Sequence, residues 1–366
     1  MEKIKRNFGF GFMRLPMKGE DVETVETCRM VDTFLDAGFN YFDTAHGYLQ
    51  GKSETGLRDC LTSRYPRDRY VLTDKLTANF FKTEADIRPF FESQLKACGV
   101  EYFDFYLMHA QGLTNYDHFK ACRAYETAFA LKQEGKIRHV GISFHDRAEV
   151  LERILTEYPQ VEVVQIQFNY ADYEDPAVQS RKCYEVCVKY GKPVIVMEPV
   201  KGGNLVNLPE EARAVLEALH GGSPASYALR FAAGFPGIMM VLSGMSNLAQ
   251  MEDKCVHYEG FPAAGRDGNG SGPEGAGDFP QQAPDSLHLL PVLHRRMPAA
   301  YFHPGPVRHH ERQAALSRLE CRLLLQCGPY GAGPEGFRLP EMRKVRKGLS
   351  AASVDPSAAG GRGEGI

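Results

Sequence analysis

Apolar positions follow two different rhythms along the first 253 residues. Short apolar runs of strand character lie at Tyr41 to Asp43, Tyr70 to Lys75, Phe103 to His109, His139 to Ser143, Val161 to Gln167, Pro193 to Glu198 and Ile238 to Ser243. Between them, apolar residues recur at helical spacing in Asp21 to Asp36, Ser53 to Leu61, Thr83 to Cys98, His118 to Gln133, Ala148 to Tyr158, Asp175 to Tyr190 and Glu210 to Leu219. Strand followed by helix, repeated, predicts a parallel sheet, because parallel neighbours need a crossover. Seven clear units and a weaker eighth between Gly202 and Ala233 point to a closed (β/α)8 barrel, a TIM barrel. A doubly wound open sheet fits the pattern alone, but no Gly-x-Gly-x-x-Gly follows the first strand, which counts against a Rossmann fold.

After Asp253 the periodicity stops, and Gly, Pro, Ala and Arg dominate. About half of the 36 glycines fall here. The expectation is a barrel domain over 1–253 and a disordered or poorly structured tail over 254–366. Composition narrows the partners. A net charge of -3 creates no basic field for nucleic acid or an anionic membrane, so a small molecule is the default ligand. No apolar run is long enough to span a bilayer, and Met1 to Pro16 lacks the core of a signal peptide. Nine cysteines without any Cys-x-x-Cys pair fit a reducing cytosol and no metal site, and Cys183 and Cys187 read as one helix face. A cytoplasmic location is expected; oligomeric state is left open.

Four polar residues end up where strands finish. Asp43 closes the run Asn40 to Asp43, Tyr48 lies five positions further on, Lys75 closes the next strand, and His109 the one after. In a parallel barrel such strand ends surround one mouth. Together they suit carbonyl reduction, which needs an acid to protonate the developing alkoxide. A tyrosine with an ordinary pKa of about 10 can serve if a lysine cation stabilises its phenolate. Tyr48 is then the general acid, Lys75 its cation, Asp43 the anchor of Lys75, and His109 the group that orients the carbonyl. Taken singly, each has a plain structural reading as cap, surface residue or hydrogen-bonded packing; the joint placement carries the chemistry.

Phe42-Asp43-Thr44-Ala45 with Tyr48, Gly51, Ser53 and Glu54 resembles the aldo-keto reductase signature. Lys75, Tyr106 to His109 and Gly135 to Ser143 resemble later blocks of that family in the same order, over about residues 7 to 253. The resemblance implies a barrel that binds NADP(H) or NAD(H) extended across the strand ends. By motif position Ser143 and Gln165 hold the nicotinamide carboxamide, and the Gly11-Phe12-Met13 turn lines the cofactor. Met197 stands where the family often has an aromatic under the nicotinamide. Ser243, Gly244, Met245 and Ser246 meet the adenosine end. Gly244 and Gln250 replace a Lys and an Arg that many relatives use for the 2′-phosphate, so the choice of cofactor is open. Phe144, His145 and Tyr170 either shape the substrate pocket or pack the strand ends. Two alternatives stand beside this reading: a barrel that binds nicotinamide as a redox sensor without catalysis, and an inactive product of a shifted reading frame.

The block Met197 to Gly203 and the stretch Ser243 to Asp253 most resemble the subgroup with a C-terminal ferredoxin-like domain, whose two Cys-x2-Cys-x2-Cys-x3-Cys-Pro motifs hold 4Fe-4S clusters. This chain has neither motif. Leu, Met and Val codons can end in TG, so a one-nucleotide slip converts cysteine codons into those residues. Leu287, Leu290, Leu293 and Met297 carry the required spacing before Pro298, and Leu339, Met342, Val345 and Leu349 repeat it. Two positions are constrained: Met297 before Pro298 gives TGC in the shifted frame, and Met342 before Arg343 gives TGC or a stop. One inserted A at Asp253-Lys254-Cys255, which otherwise reads Asp-Asn-Val, would produce the slip. Residues 254–366 then read as an out-of-frame translation that cannot bind the clusters. His309-His310 and Cys321 to Cys327 are no metal site on this reading. The loss of most of the last helix should expose apolar surface around the first and last strands.

Overall fold

The computed structural model describes residues 1, 3–217 and 222–258. Eight parallel strands close into a barrel: β1 (Phe8–Gly11), β2 (Tyr41–Asp43), β3 (Val71–Leu76), β4 (Phe103–Gln111), β5 (Ile137–Phe144), β6 (Val163–Gln167), β7 (Val194–Met197) and β8 (Ile238–Gly244). They pair in chain order, and β8 returns to β1 with Gly11 beside Gly244. A short hairpin, Met17–Lys18 with Asp21–Val22, follows β1.

The helices are α1 (Thr24–Asp36), α2 (Lys52–Leu57, continued by a wider turn to Thr62), α3 (Glu84–Cys98), α4 (Tyr116–Ala121), α5 (Ala124–Gln133), α6 (Ala148–Glu157), α7 (Ser180–Lys189), α8 (Glu210–Glu217), α9 (Pro224–Ala233) and α10 (Leu248–Tyr258). Local chemistry sets their ends. Thr83 and Asp86 form a reciprocal capping box on α3, and Gly99 closes it at φ 67°, where a Cβ would be strained. Ser223 caps α9, with Pro224 in its first turn.

Side chains alternate across each strand. Tyr41, Val71, Phe105, Leu107, Val163, Ile195, Met240 and Leu242 form one buried cluster inside the barrel, while Phe42, Leu72, Tyr106, Ile142 and Val196 join the larger core beneath the helices.

Three expectations need correction. The eighth strand is not between Gly202 and Ala233, where α8 and α9 lie; it is β1, ahead of the strand taken as first. The predicted helix from His118 to Gln133 is two helices, because Arg123 adopts φ 51° and breaks the run. The helix drawn from Asp175 begins at Ser180, since the Asp175 carboxylate accepts the amides of Ala177 and Val178 in a turn. Among the described residues, no helix is long and apolar enough to cross a membrane.

Helix α10 runs five residues past the expected boundary at Asp253. Cys255 and Tyr258 are buried, and the Tyr258 ring stacks on Phe8 with centroids 4.6 Å apart. The apolar surface beside β1 expected to be bare is therefore covered at Phe8. The two Leu/Met/Val quartets, His309-His310 and Cys321 to Cys327 lie outside the described residues.

Candidate active site

The carboxyl ends of β2, β3 and β4 bring the four sequence-predicted residues together. Lys75 reaches across the mouth to Asp43, Nζ to Oδ1 2.6 Å, and donates a second bond to the Thr44 carbonyl at 2.8 Å. Both charged groups are buried. The Tyr48 ring lies against this ammonium, 4.8 Å from ring centroid to Nζ, and its hydroxyl is hydrogen-bonded to Lys75. His109 meets Tyr48 edge to face at 5.8 Å. Its Nδ1 shares a 2.7 Å hydrogen bond with the Thr77 hydroxyl, which fixes the ring.

Charge and burial compete here. Burial would strip the proton from Lys75, but Asp43 and Tyr48 outweigh it, and the ammonium is held above the ordinary lysine range. Burial pushes the Asp43 carboxyl up, with Lys75 and Gln165 pulling it back. His109 is driven well below its usual range by burial, then by the charges of Lys75 and His145, so its imidazole is neutral. A neutral imidazole can donate from one nitrogen and accept at the other.

The backbone bends to make this mouth. Leu49 and Gln50, directly after Tyr48, have φ of 49° and 59°, and Ala110, directly after His109, has φ 53°. Such left-handed non-glycine residues are strained and cluster at functional sites. The Ala110 amide is turned so that it donates to Ser143 Oγ at 2.8 Å.

Beneath Lys75 lies a buried polar layer that sequence reasoning missed. Gln94 Nε2 donates to Glu54, Asp74 and the Lys75 carbonyl, at 3.2, 3.1 and 3.1 Å, while Gln94 Oε1 accepts from Tyr106. Burial and the neighbouring Glu54 push the Asp74 carboxyl well above its usual range. Ligand atoms of Glu54, Asp74 and Cys98 lie close enough for a metal. Their hydrogen bonds to Gln94, the Lys75 amide and His46 already account for the cluster.

The expected cofactor residues line the same end. Ser143 and Gln165 are register partners on β5 and β6, both buried, and Gln165 Nε2 makes a long 3.4 Å contact to Asp43. Met197 is half-buried at the end of β7, in register with Gln167. Gly11 sits between Asp43 and Gly244, and Met13 is 49% exposed. Phe12 and Met245 are buried, so they offer main chain rather than side chain to a ligand. Ser243 is buried and receives the Lys254 ammonium at 3.0 Å, whereas the Ser246 amide donates to Gln250 Oε1. The loops after β6 and β7 are pinned by Asp172, which accepts from Gln167, Asn169 and Lys201. Phe144 and Tyr170 are buried in the core; His145 is exposed at the mouth.

The model of the Aldo/keto reductase family matches residues 7–259. An aldo-keto reductase of Mycolicibacterium smegmatis is 29% identical over 228 residues, 61% of this chain and 74% of that protein. An NADH-specific methylglyoxal reductase of Escherichia coli is 26% identical over 195 residues, 48% of this chain and 57% of the relative. Among solved structures, an aldo-keto reductase of Klebsiella pneumoniae in complex with NADPH superposes with a TM-score of 0.56 at 19% identity, covering 69% of this chain and 85% of that one.

Proposed function

Because the chain belongs to the aldo/keto reductase family of NAD(P)H-dependent oxidoreductases, we propose that Tyr48 is the general acid when it reduces a carbonyl compound. One observation carries this reading: the Tyr48 hydroxyl and the Asp43 carboxylate share a single buried ammonium, that of Lys75. When Tyr48 gives its proton to the carbonyl oxygen, the phenolate it leaves is stabilised by that cation. Asp43 keeps Lys75 charged and aimed, and the neutral His109 donates a hydrogen bond that orients the carbonyl. In the reverse direction Tyr48 accepts the alcohol proton.

The bound nicotinamide cofactor supplies the hydride. The side chains at the mouth suit it. Ser143 accepts the Ala110 amide and keeps a hydroxyl proton to donate, and the Gln165 carbonyl oxygen matches a carboxamide N–H. Gly11, Phe12, Met13 and Met197 would line the nicotinamide half, and Ser243, Gly244, Met245 and Ser246 the adenosine half. The substrate is read as a small carbonyl compound, with no nucleic-acid partner and a cytoplasmic setting. Tyr48→Phe tests the acid: turnover should fall by about 10²–10⁴-fold while cofactor affinity changes little. Activity close to that of the parent chain would remove Tyr48 from the role.

We also propose that residues 254–366 are an out-of-frame translation of a ferredoxin-like domain that held 4Fe-4S clusters. The spacing of the two quartets supports this, and so does Lys254. Its side chain is buried, the residue 6% exposed, and its ammonium donates to the neutral Ser243 Oγ and the Gly244 carbonyl, a place where the in-frame asparagine would bond without a charge. Resequencing the adenine run decides. An unshifted gene together with a peptide spanning Asp253 to Arg266 would exclude sequencing error.

A further inference from the structure

Strand β3 runs past the end of its neighbour. The ladder between β2 and β3 stops where Asp43 meets Thr73, two positions short of Lys75. Along this edge the odd residues of β3 turn their peptide groups toward β2: the Val71 amide donates to the Asn40 carbonyl, and the Thr73 carbonyl accepts the Thr44 amide. Lys75 faces the same way with no strand residue opposite. The buried polar layer takes the place of a strand there, for the Asp74 carboxyl accepts the Lys75 amide at 2.8 Å and Gln94 Nε2 donates to the Lys75 carbonyl at 3.1 Å. Side chains thereby hold both polar groups of the Lys75 backbone.

Tyr48 is tied to the same layer. Two residues before it, His46 Nδ1 shares a 2.8 Å hydrogen bond with Glu54 Oε2, and Glu54 Oε1 accepts from Gln94 Nε2 at 3.2 Å. The His46 ring stands edge-on to the stacked Phe80 and Phe90, its centroid 4.6 and 5.1 Å from theirs. Phe90 and Gln94 lie one turn apart on α3, so one helix face meets both His46 and Lys75. The tether matters because Leu49 and Gln50, just after Tyr48, are held in the strained left-handed region. Glu54, Asp74 and Gln94 are fully buried, and Asp74 retains its proton under burial and the neighbouring Glu54. Apolar side chains of the same volume would hold the fold at least as well. What only polar groups can do is grip the Lys75 peptide and the His46 ring.

Resting on the reading of Tyr48 as the general acid, we propose that Gln94 and His46 are positioning residues of the reaction, which act through Lys75 and the Tyr48 loop to hold the ammonium against the phenol. Glu54 joins the two. Neither residue touches the reacting atoms, and all of the layer precedes Asp253, so a shift of frame there leaves it intact.

The test compares the full parent chain with Gln94→Met, His46→Ala and His46→Asn, each made with and without Tyr48→Phe. Tyrosinate absorbance is titrated against pH, and the difference between a chain and its Tyr48→Phe counterpart isolates the ionisation of Tyr48. In the parent it should lie below the ordinary tyrosine value of about 10, because Lys75 stabilises the phenolate. Gln94→Met and His46→Ala should move it to higher pH. They should also lower kcat for benzaldehyde with NADH or NADPH by roughly 10–100-fold while cofactor Kd changes by less than about threefold. Asparagine keeps an N–H in the place of Nδ1, so His46→Asn should stay within about threefold of the parent kcat and leave the ionisation where it was. His46 is partly exposed, so its variants read the effect should Gln94→Met fail to fold. Variants that lower the urea midpoint but leave Tyr48 ionisation and kcat unmoved overturn the proposal, since a merely structural layer behaves so. Loss of activity in His46→Asn equal to that in His46→Ala overturns it as well. A parent whose Tyr48 ionises at the ordinary value would sink the pairing of Tyr48 with Lys75 itself, a result distinct from a lowered ionisation that no variant moves.

Discussion

Lys75 is the residue on which the site depends both chemically and energetically. Its ammonium and the Asp43 carboxylate are 1% and 5% exposed, so each is affordable only in the presence of the other. Lys75→Met leaves Asp43 as a buried, unpaired acid. It should lower unfolding free energy by about 3–5 kcal/mol in urea titrations as well as abolish turnover. The double variant Asp43→Asn/Lys75→Met should lose less than the sum of the two single changes, because the orphaned charge is gone. A double-variant loss equal to the sum of the two single losses would mean that the pair is not coupled. The four catalytic candidates were legible in the sequence because each closes or follows an apolar strand, and a parallel barrel brings such ends together. Thr77, which fixes His109, and Glu26, whose carboxylate accepts the Leu248 amide at the start of α10, were not. A threonine or glutamate in a polar stretch carries no signal until tertiary structure sets it beside a partner.

Among the elements, seven strands and most helices follow from periodicity, because β-branched and aromatic residues concentrate where both strand faces are buried. Strand β1 escaped. It is four residues long and half glycine, Phe8-Gly9-Phe10-Gly11, too short to display a period. Gly9 is there for space, since a Cβ would come within 2.6 Å of Leu242 Cδ2, and the same constraint is tighter elsewhere in the barrel. A Cβ on Gly141 of β5 would come within 2.5 Å of Val163 Cγ1, 2.6 Å of Leu107 Cδ2 and 2.6 Å of the Val163 carbonyl oxygen. Two of those atoms are side-chain tips, but the third is strand backbone that cannot move without loosening the β5–β6 pairing. Gly141→Ala should therefore cost about 1–3 kcal/mol, read as a lower urea midpoint at unchanged slope. A neutral effect would show that the barrel interior is looser than its packing implies.

For the whole molecule, the last described helix joins the frame question to a stability measurement. Helix α10 seals the seam between β8 and β1 with Tyr258 stacked on Phe8, so the residues following Asp253 still contribute packing. Lys254 works against that seal. Burial pushes its ammonium down to about 8, from an ordinary value of 10.5, and Asp253 offsets this only in part. Below pH 8 the lysine is charged in both folded and unfolded chains, and the folded state bears the full cost of desolvation. Between pH 8 and 10.5 the folded chain sheds the proton first, the unfolded state binds more protons, and stability rises with pH. Lys254→Asn restores the residue read in the other frame and removes the buried charge. At pH 7 it should be more stable than the parent by about 2–3 kcal/mol, and this advantage should shrink as pH climbs toward 10.5. Urea titrations of both chains at pH 7, 9 and 10.5 measure the difference, in which titrations common to both chains cancel. An advantage that stays constant across that window would show that Lys254 is not a buried cation, and would remove the physical support that its position gives to the shifted frame.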